Sequence, residues 1–136
     1  MLVEGDDLNE PVADAVRGIL DGHVILDRRI AEGGRYPAVD VLRSLSRTAY
    51  QVLSPEETAL TRRARAVLAL HADMADLIRL GAYRPGADPA VDEAVILAPR
   101  IEAVLRQDRE EASTGEAAFA GLAEAMAPPG NNSYDA

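Results

Sequence analysis

Ser54-Pro55-Glu56-Glu57 carries a complete helix-start signature. Serine at the N-cap, proline at the first helical position and glutamate at the third make a capping box: hydroxyl and carboxylate each satisfy an amide that the helix cannot. The two glutamates also set negative charge against the positive end of the helix dipole. Leu60, Ala64, Val67, Leu68, Met74, Ala75, Leu77 and Ile78 then recur as an apolar stripe, so the spacing predicts one long helix that ends at Gly81. A second helix opens at Asp88-Pro89 and runs through Val91, Ala94 and Val95. Pro99 is expected to interrupt it and to restart a helix carrying Ile101, Val104 and Leu105. The reading over residues 51–107 is a small helical bundle.

The flanks read differently. Asn9 is expected to cap a helix with Pro11 in its first turn, in which Val12, Ala13, Val16, Ile19 and Leu20 keep helical spacing until Gly18 and Asp21-Gly22 end it. His23-Val24-Ile25-Leu26 is a short apolar run suited to a buried strand, and residues 28–32 suit a helical turn closed by Gly33-Gly34. Residues 36–47 are expected to begin as a loop, because Pro37 excludes Tyr36 from helical geometry. The apolar residues 2–4, stopped by Gly5-Asp6-Asp7, resemble a strand entered near its end, with the start of the fold expected upstream. Beyond Arg106 the chain turns rich in Glu, Ala, Gly and Ser; one helix is expected over 116–126 and disorder over 128–133, making 108–136 a weakly helical to disordered tail.

Composition narrows the class. The 136 residues suit one domain of ordinary size, and an Ala- and Leu-rich apolar fraction with one Phe and no Trp favours helices. A formal charge of −9 argues against a nucleic-acid surface, which needs clustered positive charge to displace counterions. All fourteen basic residues are arginine, so no GK[ST] phosphate loop exists in the chain. The absence of cysteine fits a reducing compartment. There is no apolar run of membrane-spanning length, and the start is acidic where a signal peptide is basic, so a cytoplasmic location is expected.

Four groups of residues could carry chemistry. Arg47, in Ser44-Leu45-Ser46-Arg47, is a permanently charged fork, and Tyr36, before Pro37, offers an aromatic face. Glu4, Asp6, Asp7 and Glu10 form the densest acidic cluster, but their spacing does not match a calcium loop. His23 and His71 lie too far apart in sequence to indicate a metal pair, and no metal site is expected.

Residues 2–107 resemble the C-terminal part of the flagellar and type III secretion export ATPases, relatives of the catalytic subunit of rotary ATP synthases. The resemblance rests on Val3-Glu4-Gly5-Asp6-Asp7 with Asn9-Glu10-Pro11, Ile19-Leu20-Asp21-Gly22-His23, Tyr36-Pro37-Ala38 with Asp40-Val41-Leu42, Ser44-Leu45-Ser46-Arg47, and Asp76-Leu77-Ile78-Arg79-Leu80-Gly81-Ala82-Tyr83, in consistent order. It implies a mainly α chain: residues 1–50 as the C-terminal edge of a RecA-like α/β P-loop core, with short strands near 2–4 and 23–26, followed by the helical bundle.

The same resemblance implies roles. Arg47 resembles an arginine finger that reaches the γ-phosphate of ATP bound by a neighbouring subunit, and Tyr36 resembles the tyrosine that stacks on adenine. Glu4, Asp6, Asp7, Asn9 and Glu10 correspond to a pore-facing loop against a central stalk protein. The implied whole is a homohexamer using ATP and Mg2+, peripheral to the inner-membrane export apparatus, with export chaperone–cargo complexes as partners of the helical domain. With the phosphate loop, the magnesium-binding aspartate and the catalytic glutamate all missing from this sequence, the chain alone is expected neither to bind nucleotide tightly nor to hydrolyse it. The alternatives are a non-catalytic helical interaction module derived from such an enzyme, or a piece of a virulence secretion or rotary ATPase subunit.

Overall fold

Ser54 Oγ accepts the Glu57 amide at 3.1 Å while a Glu57 carboxylate oxygen accepts the Ser54 amide at 2.8 Å, so the capping box closes in both directions. A computed structural model describes Asp7 and residues 9–128. The elements run α1 (Pro11–Ile19), β1 (Gly22–Leu26), α2 (Arg28–Glu32), β2 (Val39–Ser46), α3 (Ala49–Val52), α4 (Pro55–Arg79), α5 (Pro89–Leu105) and α6 (Gly115–Ala125).

The core lies between α4, α5 and α6. Ala64, Val67 and Leu68 of α4 meet Ala94, Leu97, Ala98 and Ile101 of α5, and Met126, just past α6, closes the cluster at 2% exposure. Gly81, at φ +68°, ends α4 as its position predicts, since only glycine takes this left-handed conformation without strain. The loop that follows is pinned to α5: Tyr83 donates its hydroxyl to Asp92 Oδ1 at 2.8 Å, and Asp92 also accepts the Gly86 amide at 2.9 Å. Desolvation, and then the Asp92 hydrogen bond, raise the pKa of the Tyr83 phenol, so it stays a donor.

Pro99 does not interrupt the second helix; α5 is continuous through it. The lost hydrogen bond and ring clash cost about 3 kcal/mol. Burying Leu97 and Ile101, each 1% exposed and on opposite sides of the proline, returns about 1.5–3 kcal/mol apiece, and Pro99 itself faces outward.

The sheet has two antiparallel strands, pairing Gly22 with Ser46, His23 with Leu45, Ile25 with Asp40 and Leu26 with Val39. Two steps along β1, from His23 to Ile25, therefore face five along β2, from Leu45 to Asp40. The surplus is an arch over residues 41–44 that delivers Val41 and Leu42 to the helical core. The arch closes on itself: Ser44 Oγ donates to the Asp40 carbonyl at 2.6 Å and accepts the Ile25 amide at 2.9 Å, and Asp40 Oδ1 accepts the amides of Leu42 and Arg43.

Three expectations change here. Residues 39–46, in a segment expected only to begin as a loop, are a strand, and the arch hides their alternation. The cap of α1 is Glu10, not Asn9, because proline settles at the first helical position and so makes its predecessor the cap; Glu10 Oε2 accepts the Ala13 amide at 3.2 Å. In β1 Ile25 is buried, but Val24 is 71% exposed. The expected strand near 2–4 and the expected disorder from residue 129 onward lie outside the described residues.

Candidate functional site

Arg47 stands at the end of β2, at the start of the turn into α3. Its amide donates to the Asp21 carbonyl at 2.8 Å, which fixes the backbone against the residue preceding β1. The glycine at the start of β1 makes this approach possible: a Cβ on Gly22 would sit 2.6 Å from the Leu45 carbonyl oxygen. The Arg47 side chain is exposed, and its guanidinium has no hydrogen-bond or ion-pair partner among the described residues.

The contrast with two other arginines is chemical. Arg35 is 8% exposed, donates to the carbonyls of Val39 at 2.9 Å and Pro37 at 3.4 Å, and pairs with Glu102 of α5 at 2.6 Å. Arg65 of α4 donates to the carbonyls of Val41, Leu42 and Ser44. Both are committed to backbone, whereas the donors of Arg47 are unengaged among the described residues.

Tyr36 is 59% exposed, so its ring can meet a flat partner. Its backbone is held from the helical side, where the Gln107 amide donates to the Tyr36 carbonyl at 2.8 Å, and Arg35 supports the following residues. Between the arch, α4 and α5 lies a cleft of about 290 Å³ lined by Arg35, Asp40, Leu42, His71, Pro99 and Glu102. Its guanidinium is already engaged, so the cleft is the seam between sheet and bundle and not a phosphate pocket.

Of the acidic loop, Asp7, Asn9 and Glu10 are described, while Glu4 and Asp6 lie outside the described residues. Asp7 Oδ1 accepts the Asn9 amide at 2.9 Å and Glu10 caps α1, so both carboxylates shape a helix entry. Among the described residues no group of three or more His, Asp or Glu side chains is placed to hold a metal ion. His23 contacts the Arg43 carbonyl through Nε2 at 3.2 Å. No helix among the described residues is long and apolar enough to cross a membrane.

Sequence reasoning missed Arg35 and Arg65 as organising residues. Arg65 had a legible signal, a charge beside the buried Ala64, Val67 and Leu68 of an apolar stripe. A cation at the margin of a core needs acceptors, and carbonyls of an irregular strand provide them.

Residues 53–124 match the family described as the T3SS EscN ATPase C-terminal domain, and residues 1–46 match the nucleotide-binding domain of the ATP synthase alpha/beta family. The chain is 52% identical over 126 residues to a flagellum-specific ATP synthase of Caulobacter vibrioides, covering 93% of this chain and 28% of that protein. The assembled ATPase EscN of the enteropathogenic E. coli type III secretion system superposes with a TM-score of 0.88 at 33% identity, over 93% of this chain and 31% of the other. EscN in complex with its central stalk EscO superposes with a TM-score of 0.80 at 32% identity, over 86% and 29% of the two chains. The chain thus spans under a third of the length of these relatives. It belongs to the type III secretion and flagellar ATPase family, and corresponds to the helical C-terminal domain together with the adjoining edge of the nucleotide-binding domain.

Proposed function

We propose that this chain is the C-terminal portion of a flagellar protein-export ATPase, in which Arg47 acts as an arginine finger on ATP held by a neighbouring subunit. The observation that carries this reading is the guanidinium of Arg47, unpartnered among the described residues, on a backbone held by the Asp21 carbonyl and directly following Ser46, which pairs with Gly22. A planar cation kept free of internal partners is suited to charge on the equatorial oxygens of a transferring phosphoryl group, a contribution of about 10³- to 10⁵-fold in rate.

Tyr36 supplies the adenine wall. A half-open ring on a supported loop can stack on any base face, worth about 1–3 kcal/mol by analogy with single-strand stacking. The fit to ATP is partial by design: this chain offers a base platform and a charge for the γ-phosphate, and without lysine it offers no phosphate loop. ATP and Mg2+ are therefore held chiefly by parts of the enzyme outside this sequence. ATP supplies the electrophilic γ-phosphoryl group when bound; Arg47 places positive charge where negative charge accumulates in the transition state.

The assembly is a homohexamer, the arrangement in which each Arg47 can serve an adjacent site. A central stalk protein is the partner of the assembly, a reading that likeness to EscN in complex with its stalk EscO supports, and we assign Glu4, Asp6, Asp7, Asn9 and Glu10 to contact with it. The helical domain receives export chaperone–cargo complexes, and the enzyme is cytoplasmic, peripheral to the inner membrane.

The test is a chimera that joins the N-terminal part of the Caulobacter relative to this chain. Arg47→Ala is expected to lower kcat by at least about 10³-fold with KM for ATP little changed, since the interaction forms only in the transition state. An unchanged kcat would remove Arg47 from the chemistry.

A further inference from the structure

The arch over residues 41–44 is where sheet and bundle meet, and its carbonyls are all accounted for by side chains. Arg65 Nη1 takes the Val41 carbonyl, with Ser44 at 3.5 Å, and Nη2 takes Leu42 at 3.0 Å, while His23 Nε2 lies 3.2 Å from the Arg43 carbonyl. A strand that bulges by this much leaves carbonyls without ladder partners, and each needs one. A single guanidinium meets three because its donors are fixed in one plane.

Arg65 does not belong to the sheet. It projects from α4, the longest helix of the bundle, and reaches across 23 residues of sequence to Leu42. Ser44 is the last residue of the arch, and only Leu45 and Ser46 separate it from Arg47. Leu45 and Ser46 pair with His23 and Gly22, so only two paired residues lie between the arch and Arg47, and a displacement of the arch has a short path to the finger. From the other side, the Arg47 amide is held by Asp21. The finger is thus set between two anchors: one within the sheet edge, the other contributed by the helical domain.

We infer that Arg65 is a positioning residue for Arg47, fixing the register of the β2 arch so that the guanidinium of Arg47 projects at the height its target requires. This rests on the assignment of Arg47 as the finger. Its consequence is that the helical domain takes part in catalysis through one side chain: a shift of α4 relative to the sheet moves Arg65, then the arch, then Arg47. A misplacement of about 1 Å at a catalytic group can cost about 100-fold in rate, so modest slack in the arch is enough to matter.

The chimeric full-length enzyme allows a double-mutant cycle with Arg47→Ala, Arg65→Gln and their combination, supplemented by Arg65→Lys. Arg65→Gln is expected to lower kcat by about 10- to 100-fold at an unchanged KM for ATP, because a misplaced finger impairs only the transition state. Arg65→Lys keeps one cationic donor for the arch but not the planar fork, and should fall between the parent and Arg65→Gln in rate. Added to Arg47→Ala, Arg65→Gln should slow turnover by less than about twofold, since residues acting through one another do not add.

Multiplicative effects in the double mutant would contradict the proposal and make Arg65 a purely structural residue. So would a wild-type kcat in Arg65→Gln while Arg47→Ala is slow. An unaltered rate in Arg47→Ala overturns the finger assignment itself, and with it the positioning role. Thermal unfolding of each variant separates loss of fold from loss of register: Arg65→Lys must melt close to the parent and still follow the same kinetic order.

Discussion

Arg35 Nε lies 2.6 Å from Glu102 Oε2, which ties the loop bearing Tyr36 to the middle of α5's last turns. The pair is asymmetric: the arginine side chain is 10% exposed and the glutamate 47%. Arg35 also spends its other donors on the Pro37 and Val39 carbonyls, so the cation is the structural element and the carboxylate its half-solvated counterion.

That asymmetry sets an order of stabilities. Arg35→Ala strands carbonyls in a part-buried loop and is expected to lower the unfolding free energy by about 1–3 kcal/mol. Glu102→Gln keeps an acceptor for Nε and should cost less, about 0.5–1 kcal/mol. Urea denaturation of the two variants checks this. Equal losses, or a larger loss at Glu102, would show that the carboxylate and not the backbone is the chief partner of Arg35.

Gly22 is expected to be intolerant for a reason of space. A methyl group at this position meets the Leu45 carbonyl oxygen at 2.6 Å, a contact with backbone that no rotamer can relieve. Gly22→Ala must push the strands apart beside Ser46 and so displace Arg47, two residues beyond Leu45. In the chimeric enzyme we expect turnover to fall by about tenfold or more with KM for ATP retained. Normal turnover would mean that the finger tolerates movement of its strand.

Hydrogen exchange should divide the chain into two classes. Leu97, Ala98 and Ile101 are 1% exposed and sit among three helices, whereas β1 has one neighbour strand and exposes Val24 and Leu26. A two-stranded sheet has little stability of its own. Amides of 64–78 and 94–105 are expected to exchange slowest, and those of 23–26 markedly faster. Protection across 23–26 equal to that of α5 would contradict the view that the bundle is the stable unit.

Much of the helical part was legible because its signals are local. Ser54 with Glu57 and Asp88 with Pro89 each mark a helix start within four residues of sequence, and both side chains accept a first-turn amide. Pro99 misled because its cost is local while the burial that outweighs it is tertiary. Strand β2 was hidden for a similar reason: Asp40 and Ser44 bond to their own arch, which breaks the alternation that marks a strand. Within the candidate site, Tyr36 and Arg47 stood out by residue type and motif. Arg35 and Arg65 did not, since their partners lie on distant elements and no periodicity records such a bond.

The central claim, that Arg47 completes a site on the adjacent subunit, is tested most directly by mixing two inactive chimeric enzymes. One carries Arg47→Ala with an intact phosphate loop from the Caulobacter relative; the other carries a disabled phosphate loop with Arg47 intact. Neither homomer should turn over ATP, but mixed assemblies pair a working phosphate loop with a neighbour's Arg47, so ATP hydrolysis is expected to return on subunit exchange. No recovery in assemblies shown to contain both kinds of subunit would contradict action across the boundary and place Arg47 on its own subunit's site or outside the reaction.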